Sequence, residues 1–252
     1  MIGEPEPLGS FTTPLPCSMI LAKGLSSTRL VSMMSASLLI GAMFLSMGVL
    51  AAPATQPSSA LCGTAVVTNL VLSSDLVCAG SGITLAADGI TIALNGHSIT
   101  GPSRGPPLVG IRVVGRAGVS IEGPGTVTNF RTGIVIAGSH DVTVTRVSVM
   151  GNGLSGFLDG DGIRVLSSTG VTIEKCDVRN NGNDGIQIVA STGVVLKKND
   201  VSGSLGGINL AAVGHQIEKN TITANACGVK GSTAGNELKK NQFAANVADF
   251  CA

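Results

Sequence analysis

Tryptophan and tyrosine are absent from this chain, and aromatic residues amount to only 2% of it. Ring faces that could stack on a sugar or a base are therefore almost missing. Charge is sparse as well: charged residues are 12% and the formal net charge is +1. That balance argues against a basic nucleic-acid-binding face, and no nucleic-acid partner is expected. Only three histidines occur, and His97, His140 and His215 do not converge in the pattern. With no Cys/His cluster at ligand spacing, no zinc site is read. A Ser/His/Asp arrangement is likewise unsupported.

Long apolar runs are confined to one segment near the start. Val31 to Ala51 carries no charge, Lys23 and Arg29 lie upstream, and small residues lie downstream. Basic, then apolar, then small is the layout of a secretory leader, with Val49-Leu50-Ala51 suiting the cleavage rule. The expected organisation is an N-terminal extension and signal peptide over 1–51, a linker over 52–61 and one domain over 62–252. The expected location is secreted or periplasmic, with no stable membrane span after cleavage. The alternative is an uncleaved anchor, for which the run is about long enough.

Six cysteines are present, and Cys17 is lost with the leader. In an exported chain, short-loop pairs Cys62–Cys78 and Cys227–Cys251 are expected to staple the two ends of the domain. Cys176 is left over.

What the mature chain has in abundance is glycine in register. Gly82, Gly110, Gly133, Gly162, Gly185 and Gly207 are each followed by isoleucine, and Gly228 by valine. The steps between them are 28, 23, 29, 23, 22 and 21 residues. A period near 22 marks a stacked solenoid. A second strand follows each glycine, as in Ile90-Thr91-Ile92 and Val171-Thr172-Ile173. A third is marked by Val149, Val178, Val201, Ile222 and Phe243. Each alternates apolar and polar, which places the apolar residues on one side. The fold class expected is all-β: a single-stranded parallel β-helix of about seven rungs with three short strands per rung.

Polar residues also keep register. Asn95, Asn199, Asn220 and Asn241 share one column with Val147 and Cys176. Asn152, Asn181, Ser204, Asn225 and Asn246 form another. Stacked amides can bond to each other and to backbone along the axis. Cys176 is therefore read as a small buried substitute for a ladder asparagine. His215 falls in a column that is otherwise mostly apolar, which makes an inward position unexpected.

The pattern over roughly Cys62 to Cys251 resembles the right-handed parallel β-helix repeats of pectate lyases, polygalacturonases, alginate epimerases and many uncharacterised secreted bacterial proteins. The stretch Asp88-Gly89-Ile90-Thr91-Ile92-Ala93-Leu94-Asn95-Gly96-His97 looks like the first rungs of that last group. The resemblance implies the right-handed fold. Asn183-Asp184-Gly185 faintly echoes the polygalacturonase aspartates. The Gly-His-Gly and Arg-x-Lys elements of those enzymes, and the Asp-Pro-His motif of the epimerases, are missing.

Chemistry on such a frame belongs to outward side chains and long turns. Two rungs carry insertions at the same place, Gly101 to Val109 and Met150 to Asp161, which are expected to project from one side. The residue before each glycine brings Asp161 and Asp184 onto adjacent rungs, about 5 Å apart. Two carboxylates that close should not both ionise easily, so one pKa is expected to rise. Arg164 follows Asp161 on the same face. Asp161, Asp184 and Arg164 are the candidate catalytic residues, and Arg112, Gln187 and Asp159 the candidate substrate contacts. No cofactor is expected apart from a calcium ion, for which Asp159, Asp161 and Asp184 would supply oxygens. The competing reading is that the aspartates cap turn amides. Two functions stay open: a non-catalytic binding or structural protein of the envelope, and a lyase, hydrolase or epimerase on an acidic polysaccharide.

Overall fold

A computed structural model describes residues 58–103, 108–153 and 160–252. The chain opens with a short 3-10 turn, Ser58–Leu61, and thereafter forms only β-strands. These fall into three parallel sheets of nine, eight and eight strands. Every third strand joins the same sheet, so the chain winds as a right-handed β-helix of about eight turns. Seven of the nine first-sheet strands are those marked by the glycine repeat. The additional ones, Ala65–Val66 and Ala248–Cys251, extend the coil at either end.

The register is one to one. The apolar column Ile83, Ile111, Ile134, Ile163, Ile186, Ile208 and Val229 runs unbroken through the first sheet. Each of these residues is 1% exposed or less. β-Branched side chains suit this pleated, buried surface, and fully burying each contributes roughly 1.5–3 kcal/mol relative to exposure. No strand could bury its inner face alone; the next turn covers it.

The repeat glycines are needed for close approach, not for an unusual φ. A Cβ on Gly162 would stand 2.6 Å from the carbonyl oxygen of Gly185. A Cβ on Gly185 would stand 2.8 Å from that of Gly207. The chain enters the first sheet at a corner where successive turns nearly touch, and only glycine fits.

Corner polar groups are satisfied along the axis. Asn220 Oδ1 accepts from the Asn199 backbone N–H at 2.9 Å, while its Nδ2 donates to Leu196 O at 2.9 Å and Asn241 Oδ1 at 3.1 Å. Cys176 sits in this column as expected: it is buried, its N–H donates to Asn199 Oδ1, and burial pushes its thiol pKa up to about 11. Asn152, Asn181, Ser204, Asn225 and Asn246 repeat the arrangement at the next corner. His215 corrects the expectation. It is 1% exposed and joins its own ladder, accepting at Nδ1 from the Val194 N–H. Burial lowers its pKa, so the neutral ring that can accept this bond is favoured. A serine ladder, Ser139–Ser168–Ser191, completes the third corner and had no counterpart in the sequence reading.

Both expected disulfides are present, Cys62–Cys78 with Cα atoms 5.4 Å apart and Cys227–Cys251 with 6.1 Å. The second ties the last strand to the one before it, since Cys227 and Lys230 pair with Ala248 and Cys251. Among the described residues no helix is long and apolar enough to cross a membrane. The leader reading lies outside the described residues.

The ladder makes a quantitative claim. Asn220→Ala removes an acceptor and two donor contacts from a fully buried corner and should cost roughly 2–4 kcal/mol. Asn246→Ala, at the more exposed end, should cost less than half of that in the same urea titration.

Candidate functional site

The outward column predicted from the repeat is real. Thr84, Arg112, Val135, Arg164, Gln187, Asn209 and Lys230 stand opposite one another in consecutive first-sheet strands. Within it, Val135 is short and lies between two arginines. The gap above it widens into a shallow groove of about 420 Å³, bounded by Arg112, Arg131, Thr132 and Arg164, with Leu108, Val109 and Leu166 at its margins. The groove spans the rungs that carry the two insertions. Leu108 closes the first, accepting from the Arg131 N–H at 3.1 Å. The ends of the second, Gly153 and Gly160, abut so closely that a Cβ on either would strike the other's backbone. Asp159 lies outside the described residues.

Asp161 and Asp184 are neighbours on adjacent turns, as expected, but both are 0% exposed and neither lines the groove. Asp161 Oδ2 accepts from Arg164 Nε at 2.5 Å. Its Oδ1 accepts from Asn183 Nδ2 at 2.8 Å and from the Asp184 backbone N–H at 3.2 Å. Asp184 Oδ2 accepts from Asn209 Nδ2 at 2.7 Å, Gln187 Nε2 at 3.2 Å and Asn183 Nδ2 at 3.4 Å. The Asn183 amide thus stands between the two carboxylates, and a cation bridging them would have to displace it. Asp184 Oδ1 is buried and has no hydrogen-bond partner among the described residues. It fits only because Gly206 follows it in the column: a Cβ there would come 2.2 Å from this oxygen.

Of the expected site residues, Arg112 and Arg164 reach the groove. Asp161 and Asp184 are instead buried beside it, with the half-buried Gln187 donating to Asp184. Arg131 was missed, although its place one residue before Thr132 in the pre-glycine column was a usable signal. So was Asn183, whose amide joins the pair.

The fold and groove define a right-handed parallel β-helix with a cationic furrow on its first sheet. The chain belongs to the family described as periplasmic copper-binding protein (NosD), whose model matches residues 63–251. A secreted or periplasmic setting agrees with that description. Among solved structures, an alginate lyase from Paenibacillus sp. str. FPU-7 is similar at a TM-score of 0.55 and 13% identity, over 72% of this chain and 76% of that one. The periplasmic alginate epimerase AlgG is similar at 0.52 and 14%, over 71% of this chain and 50% of that one. The chain thus spans about half the length of that epimerase, and at these identities the likeness is one of fold. No curated protein sequence matches the chain.

Burial raises the Asp161 pKa above 3.8, with Arg164 and the surrounding amides opposing the shift. Between 3.8 and that higher folded value, the native state keeps a proton the unfolded chain has released. This contribution to stability is complete below 3.8 and is lost as pH rises through the folded value. Carboxyl NMR titration should place the Asp161 midpoint above 3.8, and a midpoint at or below it would contradict the assignment.

Proposed function

We propose that this protein is a non-catalytic, exported β-helix that holds an acidic polysaccharide in the groove between Arg112, Arg131 and Arg164. The observation that carries the reading is the grouping of three guanidinium groups around one furrow on the first sheet. Guanidinium forks match carboxylates in a planar, two-point fashion. A linear uronan, with a carboxylate on each ring, offers that pattern repeatedly. The lack of tryptophan and tyrosine is consistent with ionic rather than stacking recognition. The neighbouring carboxylates are fully buried and tied to amides and to Arg164, which suits a framework role better than proton transfer.

One observation favours the enzymatic alternative. Asp184 Oδ1, buried and without a hydrogen-bond partner among the described residues, is a spare acceptor of the kind a general base needs. In that second reading the protein is a lyase, hydrolase or epimerase, and Asp184 takes the proton.

The family's description also names copper. Copper sites gather imidazole nitrogens or soft sulfur ligands. Among the described residues no three His, Cys, Asp or Glu side chains come together. Four of the domain's cysteines are in disulfides and Cys176 is buried. His97 and His140 lie beside Asp75 and Asp141, and His215 is inside the coil. Met150 is the sole methionine after residue 57. The described residues do not fit a copper centre, and no role is derived through one.

Calorimetric titration with short oligogalacturonates and oligomannuronates should show salt-sensitive binding. Arg112→Gln should weaken it about tenfold, the scale of one lost hydrogen bond to a charged group. Chromatography of the same mixtures should show no unsaturated or reducing-end products. Product formation that Asp184→Asn abolishes would establish the second reading instead.

A further inference from the structure

Each turn of the coil bends through a left-handed backbone position, but one line of corners differs from the others. After the third-sheet strands, the positive-φ positions hold Asn129, Gly151, Asn180, Gly203, Ala224 and Ala245. These small or amide residues include the types that tolerate this conformation best. After the second-sheet strands, the equivalent positions hold Arg146, Lys175, Lys198, Lys219 and Lys240, all at φ between 54 and 56°. Backbone preference does not account for five long cations in a conformation where asparagine or glycine fits more easily.

The backbone register stacks them directly. Arg146 N–H donates to Glu174 O, Lys175 N–H to Lys197 O, Lys198 N–H to Glu218 O and Lys219 N–H to Lys239 O, so each corner sits on the next. The backbones of five cationic residues therefore rise in a line at about 4.8 Å per step, roughly 19 Å from end to end. All five residues are exposed. Glu174 lies 3.5 Å from Lys175 and 3.9 Å from Lys198. Arg146, Lys219 and Lys240 have no ion pair among the described residues. Lys197 and Lys239 add to the ridge, opposed by Glu174, Glu218 and Glu237. A small depression of about 100 Å³ lies between Glu218, Lys219, Lys239 and Lys240. In a chain with a net charge of only +1, this concentration is a local feature. Like charges stacked at such spacing repel one another unless an anion lies along them.

We infer that this corner is a second binding ridge, distinct from the first-sheet groove, and that it takes an extended anionic polysaccharide along the coil axis. A linear polymer with an anion on each monomer matches a line one residue wide. A membrane surface suits it less, because the exposed large apolar residues lie at other positions and none shares this column.

The test uses Lys175→Asn, Lys198→Asn, Lys219→Asn and Lys240→Asn together, since asparagine removes the charge yet suits the backbone. Long-chain polygalacturonate should bind the purified wild-type protein at least tenfold more tightly than this variant at low salt. The difference should collapse near 0.5 M salt, where screening is nearly complete. The thermal midpoint should be unchanged or raised. A trisaccharide, too short to span the ridge, should bind both proteins alike, and Arg112→Gln should leave the ridge contribution intact, which separates this site from the groove. Equal affinity of the two proteins for the long polymer overturns the proposal. So does tighter binding of phosphatidylglycerol vesicles than of the polymer.

Discussion

Everything in this molecule follows from one constraint: each turn must hydrogen-bond to the next in a fixed parallel register. The backbone then repeats every side-chain position at about 4.8 Å along the axis. An apolar residue at an inward position meets another above and below, and the column from Ile83 to Val229 is sealed on both sides. A buried polar side chain finds partners on the adjacent turns. Asn220 bonds to Asn199 and Asn241, and His215 finds the Val194 N–H by the same rule. Outward charges obey it too. They stack, as the corner cations from Arg146 to Lys240 do, while Arg164 also pairs with the buried Asp161 of its own turn.

Much of this is legible in the sequence, because a column is a sequence property. The glycine period placed Arg112, Val135, Arg164 and Gln187 opposite one another, and Asp161 beside Asp184. The asparagine register anticipated both ladders, and the cysteine positions the two end staples. What the sequence withheld was the direction in which an outward residue turns. Nothing in the spacing said that Asn183, Gln187 and Asn209 would fold over the aspartates and remove them from solvent. His215 was misjudged because apolar neighbours in its column hid the vacant backbone N–H that a ring nitrogen can satisfy. The serine corners escaped notice since serine is common in turns anyway. The glycine series leaves out the two end strands of the first sheet, because Ala65–Val66 is only two residues long and Ala248–Cys251 lacks the glycine.

The same register separates framework from surface chemistry. Asp161 and Asp184 were the one local irregularity with evident chemical potential, and their hydrogen bonds link adjacent turns. The arginines around Val135 face outward beside them. Membership in the NosD family agrees with a periplasmic setting and the structural neighbours share the β-helix fold, while the groove and its charges come from this chain's own residues. The proposed role of the first-sheet groove is to bind an anionic sugar chain and leave it intact. Proton–nitrogen correlation NMR during an oligouronate titration, with the sugar's anomeric protons followed in the same samples, tests it most directly. Shifts should concentrate at Arg112, Arg131, Thr132, Val135 and Arg164, with the anomeric signals unchanged in number over hours. New anomeric or unsaturated-sugar signals, or a trisaccharide that leaves those five residues unshifted, would contradict it.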